Sequence, residues 1–156
     1  MKARRAARRV ALDVLYEASI RDLLPTEAWK LREGAGWSMS SGLDDGEDVS
    51  PDTPAPGPDV LDYARSVVDG VQAHQADIDA LVSRYADRWA IDRMPVVDLS
   101  IVRMALYELL FRDDIPVAVG INEAVELAKS FSTDDSGRFV NGLLGRIAED
   151  ERASSE

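Results

Sequence analysis

Residues 96–111 read VVDLSIVRMALYELLF, and twelve of these sixteen residues are apolar or aromatic. The polar exceptions are scattered around a helix instead of sharing one side; they are Asp98, Ser100, Arg103 and Glu108. Pro95 before the segment and Pro116 after it mark its two ends. Because a helix that is apolar on most sides is buried by its neighbours, this stretch is predicted to be the central helix of the core.

Charged residues inside so apolar a helix are candidates for particular contacts. Asp98 and Arg103 are the two candidates here. Either they contact a partner, or each sits where the helix reaches the surface or is paired inside the fold. The residues alone leave both interpretations open.

Helical spacing of apolar residues extends over most of the chain, and no segment alternates apolar and polar residues long enough to be a strand. The sequence therefore predicts an all-α fold. Pro25 is predicted to open a short helix that runs to Arg32. A polar stretch around His74 is predicted to separate a helix over residues 60–71 from another over residues 78–85. Two further helices are predicted around residues 121–128 and 139–147.

The N-terminus is strongly basic although the chain as a whole has a net charge of −11. Its five positive residues precede the first acidic one, Asp13; they are Lys2, Arg4, Arg5, Arg8 and Arg9. On a helix the four arginines share one side, along which Leu12 and Tyr16 follow. Such a stripe is unfavourable in a free helix, and a bound phosphate backbone would reverse this, with Tyr16 as a surface for base stacking. The alternative is a solvated, frayed terminus.

Residues 34–58 differ in kind from the rest. Thirteen of the 25 residues are Gly, Pro or Ser, and all five charged residues are acidic. This composition is typical of a flexible loop. We expect residues 1–156 to form one RNA-binding domain from which this acidic loop projects, with local docking of Trp37, Met39 and Leu43 as a minor alternative.

Several classes of function are disfavoured by the composition. The chain contains no cysteine, so thiol chemistry and cysteine-based zinc sites are excluded. No apolar run approaches the ~18 residues of a membrane span. The single histidine, His74, lies in polar sequence that is typical of a solvated side chain, and no catalytic constellation is present. We expect a cytoplasmic protein that needs no cofactor, has no enzymatic activity and does not bind a membrane.

The C-terminal half resembles a known family. DLSIVRMALYELL at residues 98–110, followed by IPVAVGINEAVELAKSFSTDDSGRFVNGLLGRI at residues 115–147, is similar to the bacterial transcription antitermination factors of the NusB family. ARRVALDVLYEA at residues 7–18 resembles the basic first helix of that family. The resemblance covers roughly residues 3–24 and 59–148, and the acidic loop departs from it.

This resemblance implies two small packed helical bundles and a role in transcription of ribosomal RNA. It implies binding to the single-stranded boxA element of the nascent transcript together with NusE, a small-subunit ribosomal protein, within the transcription elongation complex. The implied RNA-binding residues are Arg4, Arg5, Arg8, Arg9, Asp135, Arg138 and Phe139. Tyr16 is a weaker candidate, and Lys2 is added from the basic terminus. The implied partner-binding residues are Asp98, Arg103 and Tyr107.

For two of these residues a structural role competes with RNA binding. Phe139 also begins an apolar helical stripe, and Asp135 is placed to cap the last helix. Two other functions stay open. The chain could be an RNA-recognition module related to ribosomal RNA cytosine methyltransferases, or an adapter that binds only proteins, as a homodimer. The first needs a catalytic domain with a nucleophilic cysteine, and the second gives the arginine stripe no purpose.

Overall fold

The computed structural model describes residues 2–37, 56–86 and 93–155. Within these ranges the chain forms helices and no strand, which confirms the all-α prediction. In chain order the helices are α1 (Lys2–Arg21), α2 (Pro25–Ala35), α3 (Pro58–Tyr85), α4 (Val96–Phe111), α5 (Val117–Phe131) and α6 (Asp134–Ser155). They belong to two compact units, Met1–Ala73 and His74–Glu156.

In the first unit, α1 packs against α2 through buried apolar side chains and through one ion-pair cluster. Arg32 of α2 donates hydrogen bonds to Asp13 and, at 2.6 Å, to Oε2 of Glu17 on α1. Burial raises the pKa of Glu17, but hydrogen bonds and charge attraction from Arg32 and Arg21 outweigh this, so the pKa lies below its ordinary value. The cluster thus fixes the crossing of the two helices by charge as well as by packing.

The C-terminal end of α2 differs from the expected loop boundary. The helix continues to Ala35, so the first two residues of the predicted loop are helical. Trp37, just beyond the helix, lies against Trp29, with ring centroids 4.6 Å apart and planes tilted by 59°. The minor alternative, local docking, is therefore what the structure has for Trp37, whereas Met39 and Leu43 lie outside the described residues. The predicted acidic loop otherwise falls mainly on residues 38–55, which lie outside the described residues, and it stays a prediction.

The helix α3 is continuous from Pro58 to Tyr85, so the predicted break around His74 was wrong. The buried stripe of Val71, Ile78 and Val82 keeps helical spacing through the polar stretch, which the local run of polar residues had obscured. Gln72 in that stretch has a structural role in the first unit, where its Oε1 accepts a 2.9 Å hydrogen bond from the backbone N–H of Thr26 at the start of α2.

In the second unit, α4 is the central helix that its sequence predicts. Nine of its residues are buried, including three polar ones, and it packs against both α5 and α6. α5 and α6 also pack closely on each other. A Cβ at Gly137 would lie only 2.9 Å from Cγ of Lys129 on α5, so the absence of a side chain there lets the start of α6 approach α5.

Candidate nucleic-acid interface

The predicted arginine stripe lies on α1, but its members differ in exposure. Arg5 is exposed, Arg4 and Arg9 are half-buried, and Arg8 is only 5% exposed. Leu12, which was expected to continue the stripe, is completely buried. The side of α1 that carries the stripe therefore turns from solvent toward the core along its length. The frayed terminus that sequence left open is not what the structure has, because α1 begins at Lys2.

A residue missed by sequence reasoning organises this end of the stripe. The guanidinium carbons of Arg4 and Arg8 lie 4.9 Å and 6.0 Å from the ring centroid of Tyr63 on α3. A cation over an aromatic face gains about 0.5–1 kcal/mol at an exposed site and more when desolvated. Tyr63 thus offsets the repulsion between two arginines one helical turn apart. Nothing in its local sequence marks it, since the contact joins residues far apart in the chain.

Two other predicted RNA-binding residues, Tyr16 and Lys2, also lie on α1. Tyr16 is half-buried one turn beyond Leu12. Lys2 begins α1, and its side chain lies outside what the structure describes. All four arginines make interactions within the chain, so RNA would have to compete with, or add to, existing contacts.

The predicted RNA-binding residues Asp135, Arg138 and Phe139 lie at the start of α6. Asp135 and Arg138 form an ion pair of 2.7 Å, with side chains 90% and 76% exposed. Phe139, for which stacking and core packing compete, is half-buried. Asp135 and Arg138 together offer carboxylate acceptors and guanidinium donors at the surface, which suits hydrogen bonding to the edges of unpaired bases.

The turn that leads into α6 is held by hydroxyl groups. Oγ1 of Thr133 accepts a 3.0 Å hydrogen bond from the backbone N–H of Ser136 and so caps the helix. The Ser136 hydroxyl lies 2.9 Å from that of Ser132 and 3.1 Å from that of Thr133. It also donates a 2.8 Å hydrogen bond to Oδ2 of Asp98 on α4. These side chains anchor the turn to the middle of the second unit.

The three predicted partner-binding residues lie on α4 in different surroundings. Asp98 is completely buried, so its side chain presents no surface to a partner in this conformation. Arg103 is half-buried and makes two 2.9 Å hydrogen bonds, from Nε and Nη2, to the two carboxylate oxygens of Asp79 on α3. Tyr107 is half-buried one turn further along.

An aromatic cluster adjoins Tyr107. The His74 ring stacks on Phe111 at a centroid distance of 3.8 Å with planes 10° apart, and Tyr107 lies 6.2 Å from Phe111 and 6.4 Å from His74. Phe111 remains 40% exposed. His74 is therefore a half-buried, stacked side chain of α3, and not the fully solvated one that its polar neighbours predicted. Asp79, His74 and Phe111 extend the face on which Arg103 and Tyr107 lie.

The described residues offer neither a cluster of metal ligands nor a membrane-spanning helix. No group of three or more His, Cys, Asp or Glu side chains in the described ranges could hold a metal ion. Among the helices that the structure describes, none is long and apolar enough to cross a membrane.

The chain is similar to known proteins over almost its whole length. A transcription antitermination protein NusB of Salinispora arenicola is 47% identical over 96% of this chain and 97% of its own length. Its counterpart in Salinispora tropica is 48% identical with the same coverage.

Solved structures match over almost the whole chain as well. A crystal structure of the antitermination factors NusB and NusE in complex with dsRNA aligns with a TM-score of 0.75, 26% identity and coverage of 96% of this chain and 98% of the other. NusB of T. maritima aligns with a TM-score of 0.71, 34% identity and coverage of 93% and 90%. The NusB family model matches residues 5–149, and the chain belongs to the NusB family.

Proposed function

We propose that this chain is a transcription antitermination factor that binds RNA together with NusE. Its relatives carry that name, and a chain of the same fold has been solved with NusE and dsRNA. The coverage is nearly complete in both directions, so the activity of those proteins transfers to the whole chain and not to a fragment of it.

The observation that carries RNA binding is the arrangement of arginines on α1. Arg4 and Arg8 are held against Tyr63, and Arg5 beside them is exposed, on a chain with a net charge of −11. Since positive charge attracts phosphates and the acidic remainder repels them, RNA is drawn to this end of the first unit. Arg9 and Lys2 add to the same basic segment.

We assign base recognition to the start of α6. Asp135 and Arg138 are both largely exposed, and they supply acceptors and donors that phosphate contacts lack. Phe139 is half-buried, which leaves part of its ring for a base. Tyr16 is assigned to the same task on α1. The RNA proposed is the boxA element of a nascent ribosomal RNA transcript, which the family resemblance implies. It is proposed to bind as a single strand, because unstacked bases expose the edges and faces that such side chains read.

NusE is assigned to the face of α4 that carries Arg103 and Tyr107. The aromatic stack of Tyr107, His74 and Phe111 provides partly exposed ring surface, and aromatic residues and arginine are enriched where proteins meet. Asp98 contributes to this face through the fold and not through exposed surface. With NusE bound, the complex would act in the transcription elongation complex, in the cytoplasm, without catalysing a reaction itself.

A read-through assay tests the function. A template carries boxA upstream of a terminator, and full-length transcript is measured with NusE alone, with NusE and this chain, and with NusE and the Arg5→Ala variant. We expect the parent to raise read-through only on the boxA template and the variant to raise it less. Equal read-through on a template with scrambled boxA would contradict the proposal.

A further inference from the structure

Asp98 is a charged residue in the interior of the second unit. Its side chain is 0% exposed, and Ser136, whose hydroxyl donates to its Oδ2 at 2.8 Å, is 5% exposed. The two residues are separated by 38 positions in the sequence. This hydrogen bond therefore joins the beginning of α4 to the beginning of α6.

Ser136 passes this anchoring on to the turn before it. Because its only hydroxyl proton is directed to Asp98, its oxygen accepts in the remaining contacts, from the hydroxyls of Ser132 at 2.9 Å and Thr133 at 3.1 Å. Thr133 in turn accepts from the backbone N–H of Ser136 at 3.0 Å. Asp98 is thus the buried acceptor at the end of these hydroxyl contacts, which act together with the backbone hydrogen bonds from Ser132 to Ala128 and from Gly137 to Thr133.

Asp135 and Arg138, in the same first turn of α6, face the solvent, whereas Ser136 faces the interior. Asp135 and Arg138 flank Ser136 in the sequence and are 90% and 76% exposed, whereas Ser136 is buried. Gly137 lies against the stem of Lys129, where even a Cβ would be 2.9 Å from Cγ. Packing on one side and the hydroxyl contacts on the other fix the rotation of this first turn of α6, and so the directions of Asp135 and Arg138.

The first turn of α4 is a favourable place for the carboxylate of Asp98, but the burial of its charge opposes this. Its second carboxylate oxygen, Oδ1, is buried without a hydrogen-bond partner in the described part of the chain. A buried acceptor left unpaired costs free energy of folding. A buried carboxylate with one unpaired oxygen, whose other oxygen anchors a turn bearing predicted ligand-binding side chains, fits a positioning role.

We propose that Asp98 is a positioning residue for RNA recognition: through Ser136 it fixes the turn that presents Asp135 and Arg138, and it contacts neither the RNA nor NusE. This inference rests on the proposed function, because it takes the start of α6 to be part of the RNA site. It also separates Asp98 from Arg103 and Tyr107, with which the family resemblance had grouped it.

Four variants of the full chain test the proposal. Asp98→Ala and Ser136→Ala each remove the link. Asp98→Asn keeps a carbonyl oxygen that can accept from Ser136 but removes the charge. Val102→Ala, at another completely buried position of α4, is the matched control for lost packing. Each variant is measured for its unfolding midpoint, for affinity to a boxA RNA, for affinity to NusE, and for hydrogen exchange of the amides of residues 132–139.

We expect Asp98→Ala and Ser136→Ala to weaken RNA binding about 3- to 10-fold, the loss typical of one hydrogen bond, and to speed exchange in residues 132–139. Asp98→Asn should restore RNA affinity to within about 2-fold of the parent and leave NusE binding unchanged. Val102→Ala should lower the unfolding midpoint without either effect.

Three results would overturn the proposal. The first is Asp98→Ala binding RNA as the parent does. The second is Val102→Ala losing as much RNA affinity at an equal loss of stability. The third is Asp98→Asn losing NusE affinity, which would make its charge a partner contact. If the parent itself binds no RNA, the proposed function fails; unchanged exchange in Asp98→Ala would then overturn the anchoring as well.

Discussion

The guanidinium carbon of Arg4 lies 4.9 Å from the centre of the Tyr63 ring, so that a residue at the start of the first helix is held by one in the third. Arg8 shares the same ring at 6.0 Å. Arg4 and Arg8 are therefore ordered before RNA arrives. Less rotamer freedom remains to be lost on binding than in a frayed basic tail.

Arg5 is the arginine of this group whose removal should affect RNA binding most and stability least, because an exposed contact contributes little to folding. Since Arg5 is exposed, Arg5→Ala should leave the unfolding midpoint nearly unchanged. Loss of one phosphate contact should reduce the slope of log K against log salt concentration by about 0.7 for a single strand. Fluorescence anisotropy titrations at four salt concentrations measure this slope. Arg21→Ala removes the same charge from the other end of α1 and should leave the slope as it is.

Arg8 should behave differently, because it is 5% exposed. Arg8→Ala is expected to lower RNA affinity and also to destabilise the first unit by about 1–3 kcal/mol, through lost packing and partners left unsatisfied. Urea denaturation followed by circular dichroism gives the free energy. A variant as stable as the parent would show that the buried side chain of Arg8 does not contribute to the free energy of folding.

Tyr63 should contribute to RNA binding without being a residue of the basic helix. Tyr63→Leu removes the aromatic face and is expected to weaken RNA binding about 2- to 5-fold, the equivalent of one cation–π contact. Tyr63→Phe keeps the ring and should bind within error of the parent. If Leu and Phe are equivalent in this titration, the ring does not order Arg4 and Arg8 for RNA.

Trp37 should stabilise the first unit although it follows the end of α2. Its ring contacts Trp29 at 4.6 Å, and an aromatic pair contributes about 0.5–1.5 kcal/mol beyond the area that it buries. Trp37→Ala should therefore lower the free energy of unfolding by about 1–2 kcal/mol. Leu31→Ala, at a position that is 47% exposed, should cost much less. Equal losses for the two variants would contradict the importance of the pair.

Glu17 should make part of the stability dependent on acid. Its pKa lies below the ordinary value because Arg32 and Arg21 outweigh the effect of burial. A carboxyl whose pKa is depressed by folding contributes stability above its unfolded pKa and loses it as the pH falls through the folded pKa. The parent should thus lose more stability than Glu17→Gln as the pH falls below about 4.3. Thermal melts between pH 7 and pH 3 compare them, and parallel curves would refute the assignment.

The sequence predicts the helices far better than it predicts the surroundings of the charged residues. The apolar spacing that marks α4 is a local property, and α4 lies where it was expected. α3 was divided wrongly because a few polar residues around His74 hide a buried stripe that continues on the other side of the helix. Helical periodicity identifies the element but not which face a neighbour covers.

In the candidate sites, too, local sequence predicts some features, and others depend on tertiary contacts. Arg5, which the basic stripe predicts, and Asp135 and Arg138, which the family resemblance implies, are exposed. Their role in RNA binding stays a prediction. The burial of Arg8 and Asp98 depends on Tyr63 and Ser136, which lie far away in the sequence. No local pattern encodes such tertiary contacts, and Asp79, His74 and Phe111 were missed for the same reason.

The measurement that tests the central claim most directly is an anisotropy titration of labelled boxA RNA with the full chain, with and without NusE. Scrambled single-stranded RNA and a duplex of the same length serve as competitors. We predict that the chain binds boxA more tightly than the scrambled strand and that NusE tightens this binding. Equal affinity for boxA and scrambled RNA, with no change when NusE is added, would contradict the account.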